Sequence, residues 1–331
     1  MRGPLAIEVR RGRLVESHHR VHAVIADTDG RVLESWGDRD RPVFPRSTVK
    51  PMQALPLIET GAADQFKLSD AEIALACGSH SGAPFHIVQL EGWLNRLGIE
   101  ESALECGPQK PMGEDAADTL IRRGEAPRRI HNNCSGEHAG FLTTALHLVE
   151  PLERYSHPEH PVQRRVSQVL YELTGCAPKA PVIATDGCGI PTIAFPLRKL
   201  ATAAARLGAS NRLGETRHRA VERIRRSMAA APEMVAGPGR FDTLAMQQVG
   251  TKAIAKSGAE GVFLAGSTEL GLGLFLKVED GAQRARDVAA ANLLKIAGLI
   301  DAGQQEALAY FLARPLRNAS DVVVGEIRTG E

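Results

Sequence analysis

The chain has 331 residues, enough for one large domain or two modest ones with a sizeable core. Its 40 lysines and arginines nearly balance its 39 aspartates and glutamates, which leaves a formal net charge of +1, and only 4% of the residues are aromatic. The balanced charge argues against DNA, RNA or an anionic membrane surface as a partner, and the few aromatics argue against a stacking surface for single-stranded nucleic acid.

The N-terminal segment and the cysteines predict a cytoplasmic protein. The first residues lack an apolar run of signal-peptide length and become charged at Arg10-Arg11. No stretch reaches the roughly 20 apolar residues that a membrane-spanning helix needs. The five cysteines are odd in number and widely spaced, unlike the disulfide framework of a small secreted domain. We therefore expect free thiols in a reducing compartment.

The N-terminal part of the chain predicts a β-hairpin followed by a serine-containing loop. Two β-rich runs, 21–27 and 31–37, flank Asp29-Gly30, which is a strong hairpin-turn signal. A polar loop then leads to the segment Pro45-Arg46-Ser47-Thr48-Val49-Lys50-Pro51-Met52, and an apolar helix is predicted to begin directly after it. This segment therefore lies where a loop enters a buried helix.

The middle of the chain predicts helices that are separated by polar loops. Apolar spacing and capping residues indicate helices at 70–77, at 84–97, within 106–129, at 141–149, up to 173, at 197–207, at 217–230 and at 241–249. The segment 131–140 has the densest run of reactive side chains and opens the predicted helix at 141. The segment 181–191 reads as a short strand that breaks into a glycine-rich turn.

The C-terminal part predicts strands again. Two β-rich runs, 261–265 and 272–278, follow Lys256-Ser257-Gly258, a long helix is predicted at 284–300, and a last strand at 322–327. Strands at both ends with helices between them favour an α+β fold in which the two ends share one sheet. With no repeat or linker, residues 1–331 are predicted to be a single catalytic unit.

The spacing of Ser47 and Lys50 suggests a nucleophile and its base. Residues three apart on a helix lie on one face, and a serine becomes a good nucleophile when a nearby base takes its proton. A lysine is such a base once burial or a neighbouring cation lowers its pKa. S-x-x-K is also the first motif of serine hydrolases built like β-lactamases. Taken alone, this short pattern is more typical of a serine cap before an exposed lysine.

Lys256-Ser257-Gly258 strengthens this interpretation, because the same enzymes carry a K-[ST]-G motif far downstream on an edge strand beside the serine. Their middle motif, Ser-x-Asn, has no clean equivalent, and Ser79-His80-Ser81-Gly82 is the best substitute by position. The sequence thus predicts two hydroxyl–lysine couples around one substrate. They are Ser47 with Lys50 and Ser79 with Lys256.

A possible zinc site comprises Cys134, either Glu137 or His138, and Cys188. Cysteine, glutamate and histidine all bind zinc, and C-x-x-E places two ligands on one side of a turn. This pattern is less specific than a paired C-x-x-C motif, and free cysteines more often pack as small apolar residues. Asp186, two residues before Cys188, could join the two Ser–Lys couples from another side of the substrate site.

Five motifs occur in order along the chain: 46–51, 77–82, 131–136, 186–189 and 256–261. Together they resemble the Rhizobium etli-type L-asparaginases, also called class 3 or the asparaginase II family. The resemblance extends over nearly the whole chain. It implies a serine β-lactamase/glutaminase-like fold with an antiparallel sheet flanked by helices. It also implies hydrolysis of L-asparagine to L-aspartate and ammonia, and a homodimer.

The resemblance also implies roles for individual residues. The two Ser–Lys couples of that family fall on the pairs named above, and its zinc site of two cysteines and a lysine falls on Cys134, position 137 and Cys188. This chain departs from the pattern with Glu137, which reverses a local charge. In the expected acyl-enzyme mechanism, Asp186 binds the α-ammonium of the substrate, and Arg46 or His138 binds its α-carboxylate.

Two alternatives remain open at the level of the sequence. A glutaminase or a β-lactamase-like acylase would use the same Ser–Lys arrangement. A non-enzymatic amino-acid-binding module would bind without turnover, although two serines and two lysines are unnecessary for binding alone.

Overall fold

The computed structural model describes residues 2–177 and 182–330. Its strands within these ranges are β1 (Leu5–Arg11), β2 (Leu14–Asp27), β3 (Val32–Trp36), β4 (Pro42–Val43), β5 (Ile183–Thr185), β6 (Pro191–Ile193), β7 (Phe195–Pro196), β8 (Ala253–Gly258), β9 (Val262–Ser267), β10 (Leu272–Val278), β11 (Arg314–Arg317) and β12 (Val323–Thr329). Eight of them form one antiparallel sheet with the order β11-β12-β1-β2-β10-β9-β8, and β3 pairs with β2. The two ends of the chain therefore share one sheet, and β8 lies at its edge.

The helices are α1 (Lys50–Gln53), α2 (Leu55–Glu59), α3 (Ala62–Gln65), α4 (Asp70–Ala76), α5 (Pro84–Leu97), α6 (Glu114–Arg123), α7 (Ser135–His147), α8 (Pro161–Thr174), α9 (Leu197–Gly208), α10 (Glu215–Ala230), α11 (Pro232–Val235), α12 (Phe241–Val249), α13 (Gln283–Ile296), α14 (Ala302–Ala307) and α15 (Ala309–Leu312). Most of them lie between β3 and β8 in the sequence. The predicted α+β fold, an antiparallel sheet flanked by helices, is confirmed.

Helix α9 packs unusually close to the central strands because glycines face it. A Cβ atom on Gly273 of β10 would lie 2.0 Å from the Ala201 carbonyl oxygen, and one on Gly266 of β9 would lie 2.0 Å from that of Ala204. Such distances exclude any side chain, so glycine is required at both positions. The alanines of α9 complete this close contact, and the strands β8 and β9 are buried along their whole length.

Local signals predicted several elements well. The hairpin around Asp29-Gly30 is confirmed by the antiparallel pairing of β2 and β3. Helices α5 and α12 have the predicted bounds, and Ser69 caps α4 in a full capping box with Glu72.

Other boundaries were wrong. Helix α7 begins at Ser135 and not at 141, because its first turn consists of buried polar residues that the apolar pattern does not reveal. Lys256-Ser257-Gly258 precedes the predicted strand pair, which is β9 and β10, but it is itself the end of a strand, β8, that was not predicted. Helix α13 ends at Ile296. Strands β1 and β11 have no counterpart in the prediction. The strand predicted in 181–191 runs from Ile183 to Thr185, while Pro181 lies outside the described residues.

None of the helices in the described ranges is both long enough and apolar enough to cross a membrane.

Candidate active site

Ser47 lies on a short 3-10 helix, Arg46–Val49, which continues directly into α1. The turn is tight: Arg46 has a positive φ of 51°, and the Thr48 hydroxyl donates a hydrogen bond to the Pro45 carbonyl at 2.7 Å. Strand β8 packs against this turn at Gly258, where a Cβ atom would lie 3.1 Å from the Ser47 backbone nitrogen. The glycine of K-S-G therefore lets the edge strand reach the serine turn.

Lys50 is buried on the same turn, with 2% of its side chain exposed. Its Nζ donates a hydrogen bond to the Gly78 carbonyl at 2.7 Å and lies 3.2 Å from Glu137 Oε2. Burial alone would lower the pKa of Lys50, but the negative charges of Cys134 and Glu137 outweigh it and raise this pKa above its ordinary value. In this environment Lys50 is an ammonium ion. No hydrogen bond joins it to Ser47 within the described residues.

Ser79 is presented by a loop that is held by backbone hydrogen bonds. Its N–H donates to the Val235 carbonyl at 2.7 Å, and that of His80 donates to the Asn133 carbonyl at 3.1 Å. The Ser79 Oγ is buried and has no hydrogen-bond partner among the residues that the structure covers. A buried hydroxyl without a partner is costly, so this atom is available to a ligand.

His80, next to Ser79, is a structural residue. Ser135 Oγ donates to the Ile130 carbonyl, so His80 Nε2 must donate to Ser135 Oγ, 2.8 Å away. Its Nδ1 accepts the Gly82 N–H, and burial holds the pKa of His80 well below its usual range. Neutral and satisfied at both nitrogens, His80 holds the Ser79 loop in place.

Lys256 forms a buried ion pair that the sequence did not predict. Its Nζ lies 2.8 Å from Asp242 Oδ2, and both side chains are at most 2% exposed. Nζ also donates to the Ser257 carbonyl at 2.7 Å, while the Ser257 N–H donates to Asp242 Oδ1. Among the described residues, no hydrogen bond joins Lys256 to Ser79, with which it was predicted to form a couple. Burial lowers the pKa of Lys256, and the Asp242 charge opposes this effect.

The two candidate serines, distant in sequence, line one cavity of about 230 Å³. Its wall also includes Ser257 and Gly258 at the end of β8, and Arg240 directly before α12. Sequence patterns did not single out Asp242 or Arg240, since a charged residue at the start of a helix is ordinarily an exposed one.

Arg46 and Asp186 form an ion pair with two hydrogen bonds. Arg46 Nε donates to Asp186 Oδ2 at 2.6 Å, and Nη2 donates to Oδ1 at 3.2 Å. The hydrogen bond to Asp186 raises the pKa of Arg46 above its ordinary value, and burial only partly opposes this effect. The two residues that were predicted to bind opposite ends of a substrate thus bind each other.

The three predicted metal ligands come together. The Cys134, Glu137 and Cys188 ligand atoms all lie within 4.8 Å of one another, and all three residues are buried. Burial raises the pKa of Glu137 to about 8, and a hydrogen bond from Cys188 lowers that of Cys134 to about 6. Although Lys50 is near, neither carboxylate oxygen of Glu137 has a well-aligned hydrogen bond within the described ranges. Two thiols and an unsatisfied carboxylate fit a zinc ion.

The metal-ligand cluster and Ser47 also line a second, much smaller cavity of about 20 Å³. His138 is buried beside this cluster, and its Nδ1 lies 2.6 Å from the Tyr155 hydroxyl. Burial lowers the pKa of His138 to about 3, which leaves it neutral. His138 does not line the larger cavity. A neutral, enclosed imidazole is also a poor partner for a carboxylate that is bound there.

The model of a protein family described as L-asparaginase II matches residues 7–329. No curated protein matches the chain significantly. The chain is also similar to a solved structure of Mglu in its native form, with 16% identity, a TM-score of 0.46, and coverage of 86% of this chain and 66% of that one. A beta-lactamase from Mycobacterium bovis matches with 13% identity, a TM-score of 0.36, and coverage of 85% and 95%. The chain spans slightly less than two thirds of the Mglu chain.

Proposed function

The chain belongs to the L-asparaginase II family, and we propose that it is an L-asparaginase of the Rhizobium etli type. In this proposal it converts L-asparagine to L-aspartate and ammonia through a serine acyl-enzyme. The observation that carries the proposal is the cavity that Ser47 and Ser79 share, with Lys50 buried on the Ser47 turn and Lys256 buried on β8, the strand that contacts this turn. Binding alone does not require that arrangement, whereas amide hydrolysis needs a nucleophile and groups that move protons.

The proposed reaction begins with Ser47. Its Oγ attacks the side-chain amide carbon of asparagine, and the neutral amine of Lys50 accepts the hydroxyl proton. A proton passes through Ser79 and Lys256 to the leaving nitrogen, which departs as ammonia. Water then attacks the ester, and L-aspartate leaves as Ser47 regains its proton. Backbone N–H groups at the start of the 3-10 helix are proposed to stabilise the oxyanion.

Lys256 is suited to a proton relay because it is fixed and its pKa is lowered by burial. Asp242 and the Ser257 carbonyl hold its Nζ in place without solvent. Ser79, whose hydroxyl has no partner among the described residues, is free to reorient toward the leaving group. Lys50 must lose a proton before it can act as a base, because its present neighbours favour the ammonium form.

Cys134, Glu137 and Cys188 would hold the zinc ion that the resemblance implies. Bound there, zinc would supply positive charge beside the Lys50 amine, at the small cavity that Ser47 also lines. Ser47 and the two lysines already account for nucleophile and proton transfer, so we assign the metal a supporting role. Homodimer formation and a cytoplasmic location stay predictions.

Ser47→Ala tests the nucleophile. We expect kcat for asparagine to fall by at least about 10³-fold while the protein stays folded, because no other group replaces the serine oxygen. The measurement is ammonia release with L-asparagine and, in parallel, L-glutamine. Faster release from L-glutamine would indicate that the protein is a glutaminase with the same Ser–Lys arrangement.

Ser81→Ala is the matched control. Ser81 is buried, lies against Gly113 and Gly237, and does not line the cavity with Ser47. Its loss should leave kcat close to that of the wild type. A Ser47→Ala enzyme with most of the wild-type rate would reject the acyl-enzyme, and a wild-type protein that releases ammonia from neither amino acid would reject the amidase.

A further inference from the structure

Two arginines line the larger cavity, and a buried lysine and two buried aspartates lie close to them. Lys256, Arg240 and Arg286 contribute three positive charges, and Asp242 and Asp287 contribute two negative ones. Lys256 pairs with Asp242 at 2.8 Å, and Arg286 Nη2 donates to Asp287 Oδ1 at 2.5 Å. Arg286 also donates to the Gly258 carbonyl, so its guanidinium is well satisfied. Arg240 is the remaining cation of this group, and it forms no ion pair among the described residues.

Arg240 has no carboxylate oxygen within 4.0 Å among the described residues. Among the same residues, its side chain makes one weak polar contact, from Nη1 to the Met112 sulfur at 3.9 Å. Burial lowers the pKa of Arg240 below its ordinary value, although the negative charge of Asp242 opposes this effect. A guanidinium stays charged in a protein and is costly to bury without an acceptor, so this position favours an incoming anion.

The other charged groups near the serines do not fill this role. Arg46 is engaged with Asp186 through two hydrogen bonds. Glu260 lines the cavity but is exposed, and it forms no ion pair with Arg240 within 4.0 Å. Among the described residues, the lining of this cavity therefore offers Arg240 as an unpaired guanidinium together with Ser47 and Ser79.

We propose that Arg240 binds the carboxylate of the substrate and thereby selects amides that carry an α-carboxylate. This inference rests on the proposed amidase function and assigns the recognition step to a residue outside the five sequence motifs. The planar guanidinium can donate hydrogen bonds to both carboxylate oxygens. A carboxylate bound there gives Arg240 a counter-ion and leaves the far end of the substrate for the serines.

Arg240→Gln tests the proposal with two substrates, L-asparagine and its α-methyl ester, which lacks the carboxylate charge. For L-asparagine, KM should rise by at least about 30-fold with a much smaller change in kcat, because the lost contact is made in the ground state and in the transition state alike. For the ester, KM should hardly change. The variant should therefore lose the preference of the wild type for the free acid.

A purely structural role would give a different result. Damage to the fold would weaken turnover of both substrates equally and preserve the preference, which would overturn the proposal. Arg240→Lys keeps the charge but not the paired donors, so it should recover only part of the affinity. Addition of guanidinium ions at low concentration should partly restore a small-side-chain variant, Arg240→Ala.

Arg314→Gln is the matched control. Arg314 lines a neighbouring cavity of about 220 Å³ together with Arg240, but it does not line the cavity of the serines, and it stacks on Tyr310. Its loss should leave the KM for L-asparagine unchanged. A rise equal to that of Arg240→Gln would place the carboxylate in the neighbouring cavity and overturn the assignment.

Binding of L-aspartate, measured by calorimetry, separates this inference from the proposed function. If the wild type binds L-aspartate but turns over neither asparagine nor glutamine, the amidase proposal fails, and weaker binding by Arg240→Gln still supports the carboxylate site. Equal binding by wild type and variant overturns the site while leaving the amidase intact. A wild type that neither binds nor turns over these compounds overturns both.

Discussion

Lys50 and Lys256 are both fully buried, yet their surroundings have opposite effects on their pKa values. Lys50 faces Cys134 and Glu137, which together raise its pKa. Lys256 faces the single carboxylate of Asp242 and lies near other cations, so burial prevails and its pKa is lowered. One lysine is thus stabilised as an ammonium ion, and the other gives up its proton more easily.

Asp242→Asn should destabilise the protein by about 3–5 kcal/mol, because it leaves Lys256 buried without its counter-ion. The free energy of unfolding in urea measures the effect. Glu91→Gln is the control, since Glu91 pairs with Arg128 at the surface and such pairs contribute less than about 1 kcal/mol. Equal effects of the two variants would contradict a structural role for the buried pair.

The same pair predicts a pH dependence of stability. Burial alone would raise the pKa of Asp242, but the Lys256 and Arg286 charges hold it at about 2, below its ordinary value of 3.8. A depressed carboxyl pKa stabilises the folded state above the unfolded value, and this contribution is lost as the pH falls toward 2. Asp242→Asn should therefore lose less stability than the wild type between pH 4 and pH 2.

The Cys134, Glu137 and Cys188 cluster predicts bound zinc in protein that is purified without chelators. Cys134→Ser and Cys188→Ser should each lower the zinc content strongly, and Glu137→Gln should lower it less, because thiolates are the better zinc ligands. Elemental analysis measures the content. Cys106→Ser is the control, since Cys106 is buried but lies outside the ligand cluster. Negligible zinc in the wild type would remove the site.

At the level of elements, helix α7 shows how packing fixes the site. Its first turn carries Glu137 and His138, and its glycines face α4 and α2. A Cβ atom on Gly136 would lie 2.4 Å from the Leu75 carbonyl oxygen, whereas one on Gly140 would have its nearest neighbours at 3.5 Å. The two helices therefore touch backbone to backbone next to the metal-ligand cluster.

Gly136→Ala and Gly140→Ala form a matched pair on this helix. Gly136→Ala must push α7 away from α4, so we expect a loss of about 1–3 kcal/mol in the free energy of unfolding and a lower zinc content. Gly140→Ala meets ordinary contacts and gains up to about 1 kcal/mol of helix propensity. Thermal unfolding of both variants is the measurement. Similar melting temperatures would show that α7 can shift without cost.

Strand β8 shows how packing within the sheet positions a motif of the candidate site. The motif Lys256-Ser257-Gly258 was predicted to precede a pair of strands, and it does so as the last residues of a further strand at the edge of the sheet. There Gly258 contacts the Ser47 turn, and Lys256 points to a buried carboxylate. The motif was recognisable from the sequence, whereas its position at the sheet edge depended on strand order.

At the level of the whole molecule, the sheet joins distant parts of the chain. Strand β1 pairs with β12 on one side and β2 on the other, and β2 pairs with β10. These long-range pairings bring K-S-G on β8 next to the serine turn that follows β3 and β4. The prediction that both ends share one sheet came from the distribution of strands along the chain, and the strand order required the structure.

The α+β class, most of the helices and the motifs around Ser47 and Lys256 were predictable from the amino-acid sequence, because periodicity, turn residues and short spacings are local properties. The partners of the buried charges, in contrast, depend on the three-dimensional fold. It paired Lys256 with Asp242 and left Arg240 without a carboxylate among the described residues. Such pairings depend on the strand order and on the close approach of helices, which bring distant segments together. Because an unpaired buried charge is costly, the charges that this packing buries are paired with residues from those segments.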